Sequence, residues 1–209
     1  MPATLAASNI NLRDLIDRFG LVRSRDDRFF FEWQTDLPLL TASEQQQLDR
    51  IREGYFNLIE NPPLLESVVK LAIVSPLLFI AGVYLAPFQI RAEQSIELAA
   101  EDEGQTIEGR IDILLLRDNI WVAVIESKQF AFSTDEALAQ ILTYMLADPQ
   151  PDTPTYGLIA TGANFTFVKL ARLEGVPHYA RSDEFVIRNR DNGLYPVLQI
   201  FKRLMGVGV

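Results

Sequence analysis

The segment at positions 120–128, IWVAVIESK, constrains the fold more than any other part of the chain. It is apolar at consecutive positions until it reaches Glu126. Successive side chains of a strand point to opposite faces, so this segment needs apolar cover on both faces. That environment is typical of a central strand in a sheet that helices flank. The segment therefore predicts an α/β fold.

The sequence on either side of this segment supplies further elements, and 209 residues are enough for one well-cored domain with an extension. We expect helices at 11–19, 41–60, from Asn61 onward, 134–148 and 195–205, and strands at 28–33, 83–99, 106–117, 120–128, 155–161, 164–172 and 184–188. This order predicts a central mixed sheet flanked by helices, preceded by an N-terminal helical extension.

An apolar run without charges, Leu71 to Phe88, has the length of a membrane span. Pro76, Gly82 and Pro87 interrupt it, and an alternating strand pattern follows. A buried helix that leads into a strand explains the run better than a span. The N-terminal sequence lacks the features of a secretory signal, and the absence of cysteine excludes disulfides and thiolate chemistry. We therefore expect no membrane contact and a cytoplasmic location.

The charge of the chain bears on its partner. A net charge of −9 disfavours nucleic-acid binding unless a local basic patch neutralises phosphates. Residues 1–109 carry 17 acidic and 9 basic side chains, whereas residues 153–209 carry 4 acidic and 7 basic ones. The C-terminal part could form a modest positive surface from Arg172, Arg181, Arg188, Arg190, Lys202 and Arg203. A face of separately solvated charges is the alternative interpretation.

Polar residues at the end of the central strand form the candidate site. Glu126 and Lys128 are two positions apart and share one face of the strand. Asp112 interrupts the apolar pattern of the preceding strand, and a hairpin of the two strands would bring it beside Glu126. Two carboxylates and the main-chain carbonyl of Ser127 are hard oxygen ligands that suit Mg²⁺ or Mn²⁺. Lys128 would then orient or deprotonate an attacking water, and a structural ion pair is the alternative.

The helix that follows contributes two further polar residues. Gln140 and Tyr144 are four positions apart and share one helical face. They could hold a nucleotide phosphate and anchor the lysine. Ordinary helix packing is the alternative interpretation of this pair.

These three motifs, Gly109-Arg110-Ile111-Asp112, Glu126-Ser127-Lys128 and the Q-x-x-x-Y element from Gln140 to Tyr144, resemble those of the PD-(D/E)xK nuclease superfamily. The Q-x-x-x-Y element is typical of its RecB-like branch. The layout is similar to the N-terminal nuclease domain of type I restriction enzyme R subunits. The resemblance extends over roughly residues 60–172. The chain has no glycine loop that would bind a nucleotide phosphate, so the helicase motor of R subunits is not expected.

The resemblance implies a restriction-endonuclease-like core at residues 61–209, behind an N-terminal helical extension at residues 1–60. It also implies a nuclease that hydrolyses DNA with Mg²⁺ or Mn²⁺. The implied catalytic residues are Asp112, Glu126, Lys128, Gln140 and Tyr144. The implied metal ligands are Asp112, Glu126, the carbonyl of Ser127, and Glu66 on the helix before the sheet. An exposed helix residue without a role is the alternative for Glu66.

Two hypotheses about function follow. The first is a metal-dependent DNA nuclease, in which a homodimer would provide two sites for cutting both strands. The second is a non-catalytic protein that keeps the fold and binds or assembles through a protein partner. The net charge of −9 favours the second hypothesis, whereas the complete Asp, Glu and Lys set favours the first.

Overall fold

The computed structural model describes the backbone of residues 4–62, 65–100, 105–117, 120–128 and 134–207. Within these ranges, the side chains of residues 4, 100, 105, 120, 122–128, 134 and 136 lie outside the description. In the described part, the protein is an α/β structure in which helices flank one mixed sheet of eight strands.

The elements follow one another in this order: β1 (Thr4–Ala6), α1 (Leu12–Phe19), β2 (Val22–Arg23), α2 (Ala42–Glu60), α3 (Glu66–Val69), α4 (Ser75–Ile80), β3 (Phe88–Ala100), β4 (Gln105–Arg117), β5 (Ile120–Lys128), α5 (Thr134–Leu146), β6 (Thr155–Thr161), β7 (Asn164–Leu173), β8 (Val176–Val186) and α6 (Leu194–Met205). Short 3₁₀ helices lie at Ala7–Asn9 and Phe31–Trp33, and a π-helix at Lys70–Val74 joins α3 to α4. Capping boxes at Asn11 and Thr41 begin α1 and α2, because each side chain accepts a hydrogen bond from the first turn.

The strand order in the sheet is β1-β4-β5-β6-β7-β8-β2, and β3 pairs with β4. The pairs β1–β4, β5–β6 and β2–β8 are parallel, and the other pairs are antiparallel. The expected hairpin of the two strands that carry the candidate carboxylates is confirmed by the antiparallel ladder of β4 and β5. β5 lies between β4 and β6, as its apolar pattern predicts.

Two hydrophobic cores lie on the two faces of this sheet. Side chains of α2, the α3–α4 region and α6 form the larger core, with Tyr55, Leu77 and Phe201 fully buried. The other core contains side chains of α1 and α5, with Leu15 and Ile141 fully buried. Helices therefore cover both faces of the central strands, which is why β5 can be apolar at consecutive positions.

The first 60 residues take part in the sheet as well as contributing helices. β1 adds to β4 and β2 adds to β8, both in parallel. The prediction of a strand at 28–33 is wrong, because this segment forms a turn and the 3₁₀ helix Phe31–Trp33. Phe29, Phe30 and Trp33 all pack against the same core. The alternating faces of a strand would not allow this arrangement.

Two other boundaries differ from the expectation. The strand expected from position 83 begins at Phe88, because residues 81–87 form turns after α4. The strand expected at 184–188 is the end of the longer strand β8, whose start contains Pro177 and His178 and therefore has a loop-like composition.

The apolar run after Leu71 forms a helical segment that is apolar on all sides but buried on only one. Ile73 and Leu77 are fully buried, whereas Leu71 and Phe79 are 75% and 66% exposed. The expectation of a buried helix is thus correct for one face only. Among the described residues, no helix combines the length and apolar character needed to cross a membrane.

Candidate active site

Asp112 lies at the point where two neighbouring strands separate. The ladder between β4 and β5 ends at the pair Ile113–Ile125. The next pair of residues in this register would be Asp112 of β4 and Glu126 of β5. Residues 126–128 of β5 pair with β6, at positions 159–161. A fork between β4 and β5 therefore opens at the two positions that the sequence predicts as carboxylate ligands.

One edge of β4 is open at this fork. β3 pairs along β4 from Gln105 to Arg117 and occupies one edge. β1 and β5 must therefore share the other edge, where they pair with residues 106–108 and 113–117. No described strand pairs with that edge at residues 109–112, which is the Gly-Arg-Ile-Asp motif. The motif thus lines a gap between two ladders.

Strand β4 also changes face at Asp112. Ile111 packs in the core beside α5, whereas Ile113 packs against the core on the opposite face. Residues two positions apart in a regular strand share a face, so the strand is irregular between them. Opposite Asp112 on β3, Glu93 has a φ of 55°, in the left-handed region that side chains rarely adopt. Irregularities of this kind re-aim side chains and are frequent next to active sites.

Three carboxylates surround one ammonium group in the fork. Lys70 Nζ donates a hydrogen bond to Asp112 Oδ1 at 2.7 Å, and lies 3.1 Å from Glu66 Oε1 and 3.7 Å from Glu93 Oε1. Glu93 also pairs with Arg110, at 3.3 Å between Oε2 and Nη1. Asp112 is 9% exposed, whereas the Lys70 side chain is 25% exposed. The structure therefore brings Glu66 and Asp112 to the same cation.

The protonation of Lys70 follows from these contacts. Burial by itself lowers the pKa of a lysine, because it disfavours the charged form. Hydrogen bonds and charges from Asp112 and Glu66 outweigh burial and raise the pKa of Lys70 well above its usual value. Lys70 is therefore a permanent cation between the carboxylates at physiological pH.

A local distortion of the helix places Lys70. The π-helix begins at Lys70, and the backbone N–H of Ser75 bonds to the carbonyl of Lys70 rather than to that of residue 71. Pro76 follows directly; it has no N–H, and its ring would clash with the carbonyl four residues earlier in a regular helix. The wider turn relieves that clash. Widened turns of this type occur frequently at functional sites.

Helix α5 crosses the sheet in close contact with two glycines. A Cβ atom on Gly109 of β4 would lie 2.6 Å from Cε1 of Tyr144, and one on Gly157 of β6 would lie 2.8 Å from Cδ1 of Ile141. Only glycine permits this approach, so the phenol ring of Tyr144 rests directly on the Gly-Arg-Ile-Asp motif. Gln140 Nε2 donates a hydrogen bond of 2.6 Å to the Tyr144 hydroxyl, and both side chains are buried.

Three predicted site residues have only their backbone described. Glu126, Ser127 and Lys128 form the last residues of β5, in register with Ile159, Ala160 and Thr161 of β6. Their side chains lie outside the described part of the chain. In that register Glu126 is next to Ile159, whose side chain packs in the core beside α5.

The described donors fit a divalent cation by their chemistry. Asp112 and Glu66 offer hard carboxylate oxygens, and the Lys70 ammonium already lies between them as a cation. The three carboxylates around Lys70 are not by themselves a metal site, because among the described side chains no three acidic or histidine groups converge as a metal-binding set. A complete set therefore requires a ligand from β5, where the sequence predicts Glu126 and the carbonyl of Ser127.

Sequence reasoning did not identify Lys70, Glu93 or Arg110 as members of this cluster. One signal was available for Lys70, because Glu66 and Lys70 are four positions apart on a helix. Such a pair usually lies on an exposed helix surface, so the spacing alone does not indicate a site. Glu93 lies on the edge strand β3 and reaches the cluster through the register of that strand with β4.

Three of the six basic residues that the sequence suggests for a positive surface in the C-terminal part have acidic neighbours. Arg181 pairs with Asp135 at 2.9 Å, Lys202 with Glu44 at 2.6 Å, and Arg203 lies 3.8 Å from Asp36. A groove of about 570 Å³ at the start of α5 has a mixed lining: Arg23, Asp135, Thr166, Arg181, Ser182, Asp183 and Glu184. Its two arginines are thus accompanied by three acidic residues.

A scan against models of protein families and a search of curated proteins both find no match to this chain.

Proposed function

We propose that this protein is a metal-dependent DNA nuclease with a restriction-endonuclease-like core, active in the cytoplasm. The observation that carries the proposal is the fork between β4 and β5, which opens at Asp112 and Glu126. The three sequence motifs meet there, because α5 sets Tyr144 on Gly109 beside the same fork. In open α/β sheets, ligands bind outside the carboxyl ends of strands, and Lys128 is the last residue of β5.

Each residue has a defined task in the proposed reaction. Asp112, Glu126, Glu66 and the carbonyl of Ser127 hold Mg²⁺ or Mn²⁺. When bound, this cation polarises the phosphodiester and lowers the pKa of a water molecule. Lys128 orients that water for in-line attack on phosphorus. Gln140 and Tyr144 hold Lys128 and the phosphate, since their hydroxyl and amide are buried beside the fork.

Cleavage of plasmid and linear DNA with Mg²⁺ or Mn²⁺ tests this proposal. We expect Asp112→Asn and Lys128→Met to lower the cleavage rate by about 100-fold or more, since each removes a group at the reacting phosphate. Asp183→Asn is the matched control, because Asp183 is exposed on β8 away from the fork and its substitution leaves the rate unchanged. Equal rates for the wild type and all three variants would exclude the mechanism.

A second candidate function is supported by the charge pairing of the C-terminal part. Since Arg181, Lys202 and Arg203 have acidic neighbours, these three residues offer little free positive charge for a DNA backbone. On this reading, the protein is a non-catalytic subunit that binds or assembles through a protein partner. Calorimetric titration with Mn²⁺ separates the two functions. No binding at millimolar concentration, together with no cleavage, favours the non-catalytic subunit.

A further inference from the structure

We propose that Lys70 is an internal cation that occupies the carboxylate cluster until a divalent metal displaces it, and that it thereby sets the metal affinity of the site. This inference rests on the proposed function, since it assigns a role to a residue beside the same ligands. Lys70 is then a positioning residue: it holds Glu66 and Asp112 together in the metal-free protein and moves away when the metal arrives.

The contacts of Lys70 differ from those of a structural ion pair. Its Nζ bonds to Asp112 Oδ1 at 2.7 Å, and this carboxylate is the predicted metal ligand. Glu66, the second predicted ligand on the described part of the chain, lies 3.1 Å from the same nitrogen. A metal bound to these oxygens and an ammonium at this position would repel each other at close range. The metal ion and the Lys70 ammonium therefore compete for the same carboxylate oxygens.

The charge around Lys70 provides the reason for exchange. Three carboxylates approach this one ammonium, and Arg110 compensates Glu93 only. A divalent metal ion attracts hard carboxylate oxygens more strongly than a monovalent ammonium does, which favours the exchange. The Lys70 side chain is one quarter exposed and flexible, so it can withdraw into solvent without breaking the core.

The π-helix determines how Lys70 is positioned. It begins at Lys70 and widens the helix where Pro76 follows. In a regular helix, Glu66 and Lys70 would point in a different direction relative to the residues after Pro76. The widened turn therefore determines which face of the helix carries Glu66 and Lys70. Val69 and Ile73, next to them, are fully buried and anchor this turn in the core.

The test is calorimetric titration with Mn²⁺ and with Ca²⁺, the latter because its binding is measured without turnover. We expect Lys70→Met to bind both ions about tenfold more tightly than the wild type, which is the usual scale of effects from groups beside metal ligands. Without metal, Lys70→Met leaves the carboxylates without their ammonium, so its Tm falls, and the rise in Tm on adding metal exceeds that of the wild type. Lys70→Gln should behave in the same way and replaces Lys70→Met if the latter does not fold.

Lys202→Met is the matched control. It also removes a lysine from a close pair with a glutamate, at 2.6 Å from Glu44, but on α6 away from the fork. Its metal affinity should equal that of the wild type.

The outcomes separate this inference from the proposed function. If the wild type binds Mn²⁺, Asp112→Asn does not, and Lys70→Met binds with equal or lower affinity than the wild type, the role of Lys70 is overturned while the metal site stands. If neither the wild type nor Lys70→Met binds Mn²⁺ or Ca²⁺ at millimolar concentration, the metal site and the role of Lys70 both fail.

Discussion

Two lysines of this protein occupy clusters that differ in charge balance. Lys169 on β7 pairs with Glu32 at 2.5 Å, and Glu32 also accepts a hydrogen bond of 3.1 Å from the Tyr156 hydroxyl. Lys169 lies over the ring of Phe29 and its side chain is 10% exposed. Lys70 instead contacts three carboxylates and is 25% exposed. Among the described residues, Lys169 has one carboxylate partner and Lys70 has three.

The difference bears on the roles proposed for the two lysines. A buried lysine with one carboxylate and one hydroxyl nearby has a balanced charge, and such a pair fixes the segment around Phe31–Trp33 against the sheet. Lys70 instead lies between carboxylates from α3, β3 and β4. Carboxylates from separate elements that gather at one partly exposed place are typical of a candidate cation site. This contrast favours the fork at Asp112 as the site.

Removing one carboxylate from each cluster should have the largest effect and tests the contrast directly. We expect Glu32→Gln to lower the free energy of unfolding by about 3 kcal/mol, because Lys169 would keep a buried charge without its carboxylate. Asp112→Asn should change it by no more than about 1 kcal/mol, because the charge left behind, on Lys70, is 25% exposed and retains Glu66 and Glu93. Urea denaturation of both variants measures these values.

A double variant provides the control for this comparison. Glu32→Gln combined with Lys169→Met removes the unpaired charge and should recover most of the lost stability. Equal losses for Glu32→Gln and Asp112→Asn would show that the two lysine clusters are of the same structural kind.

The site region also depends on close packing, which a second prediction tests. Gly109→Ala should lower the free energy of unfolding by about 2 kcal/mol, because the new Cβ meets Tyr144 at 2.6 Å and Ala7 at 2.7 Å. Gly54→Ala is the matched control on the exposed side of α2, where a Cβ meets no atom within 4 Å. It should raise stability by up to about 1 kcal/mol, through helix propensity. A neutral Gly109→Ala would contradict the close contact of α5 with β4.

The sequence predicts the centre of this fold better than its edges. The apolar pattern of β5 is informative because a strand that is apolar at consecutive positions needs cover on both faces. The hairpin of β4 and β5 then predicts that Asp112 and Glu126 lie on neighbouring strands. The segment at 28–33 is misleading because its aromatic residues favour strands, whereas in the fold they all turn to one core. β1 and β2 contain three and two residues, which is too short for a periodic signal.

The charge cluster of the site was only partly predictable for a related reason. Glu66 and Lys70 have an ordinary helical spacing, and the contact of Lys70 with Asp112 joins residues 42 positions apart in sequence. Such a contact depends on how the π-helix and the irregularity of β4 aim these side chains. The strongest sequence signal for either distortion is Pro76. It predicts that the helix is disturbed, but it does not predict the direction in which the side chains then point.

A third lysine pair, Lys202 with Glu44, extends the comparison to pH and should give the smallest effect. Burial tends to raise the pKa of Glu44, but hydrogen bonds from Lys202 and from the backbone and hydroxyl of Thr41 outweigh it and lower the pKa below its usual value of 4.5.

A lowered pKa in the folded state stabilises the fold above pH 4.5, and this contribution is lost as the pH falls through the folded pKa. We expect Glu44→Gln to cost about 1 kcal/mol at pH 7, less than Glu32→Gln, because glutamine keeps the capping bonds to Thr41 and Lys202 lies in the last turn of α6, where the helix dipole favours its charge. The difference from the wild type should shrink below pH 4.5, whereas Glu53→Gln, exposed on the same helix, should show no such trend in urea denaturation. A cost that stays constant from pH 7 to pH 3 would mean that Glu44 acts through its shape as a cap, and that its charge pairing with Lys202 contributes nothing to stability.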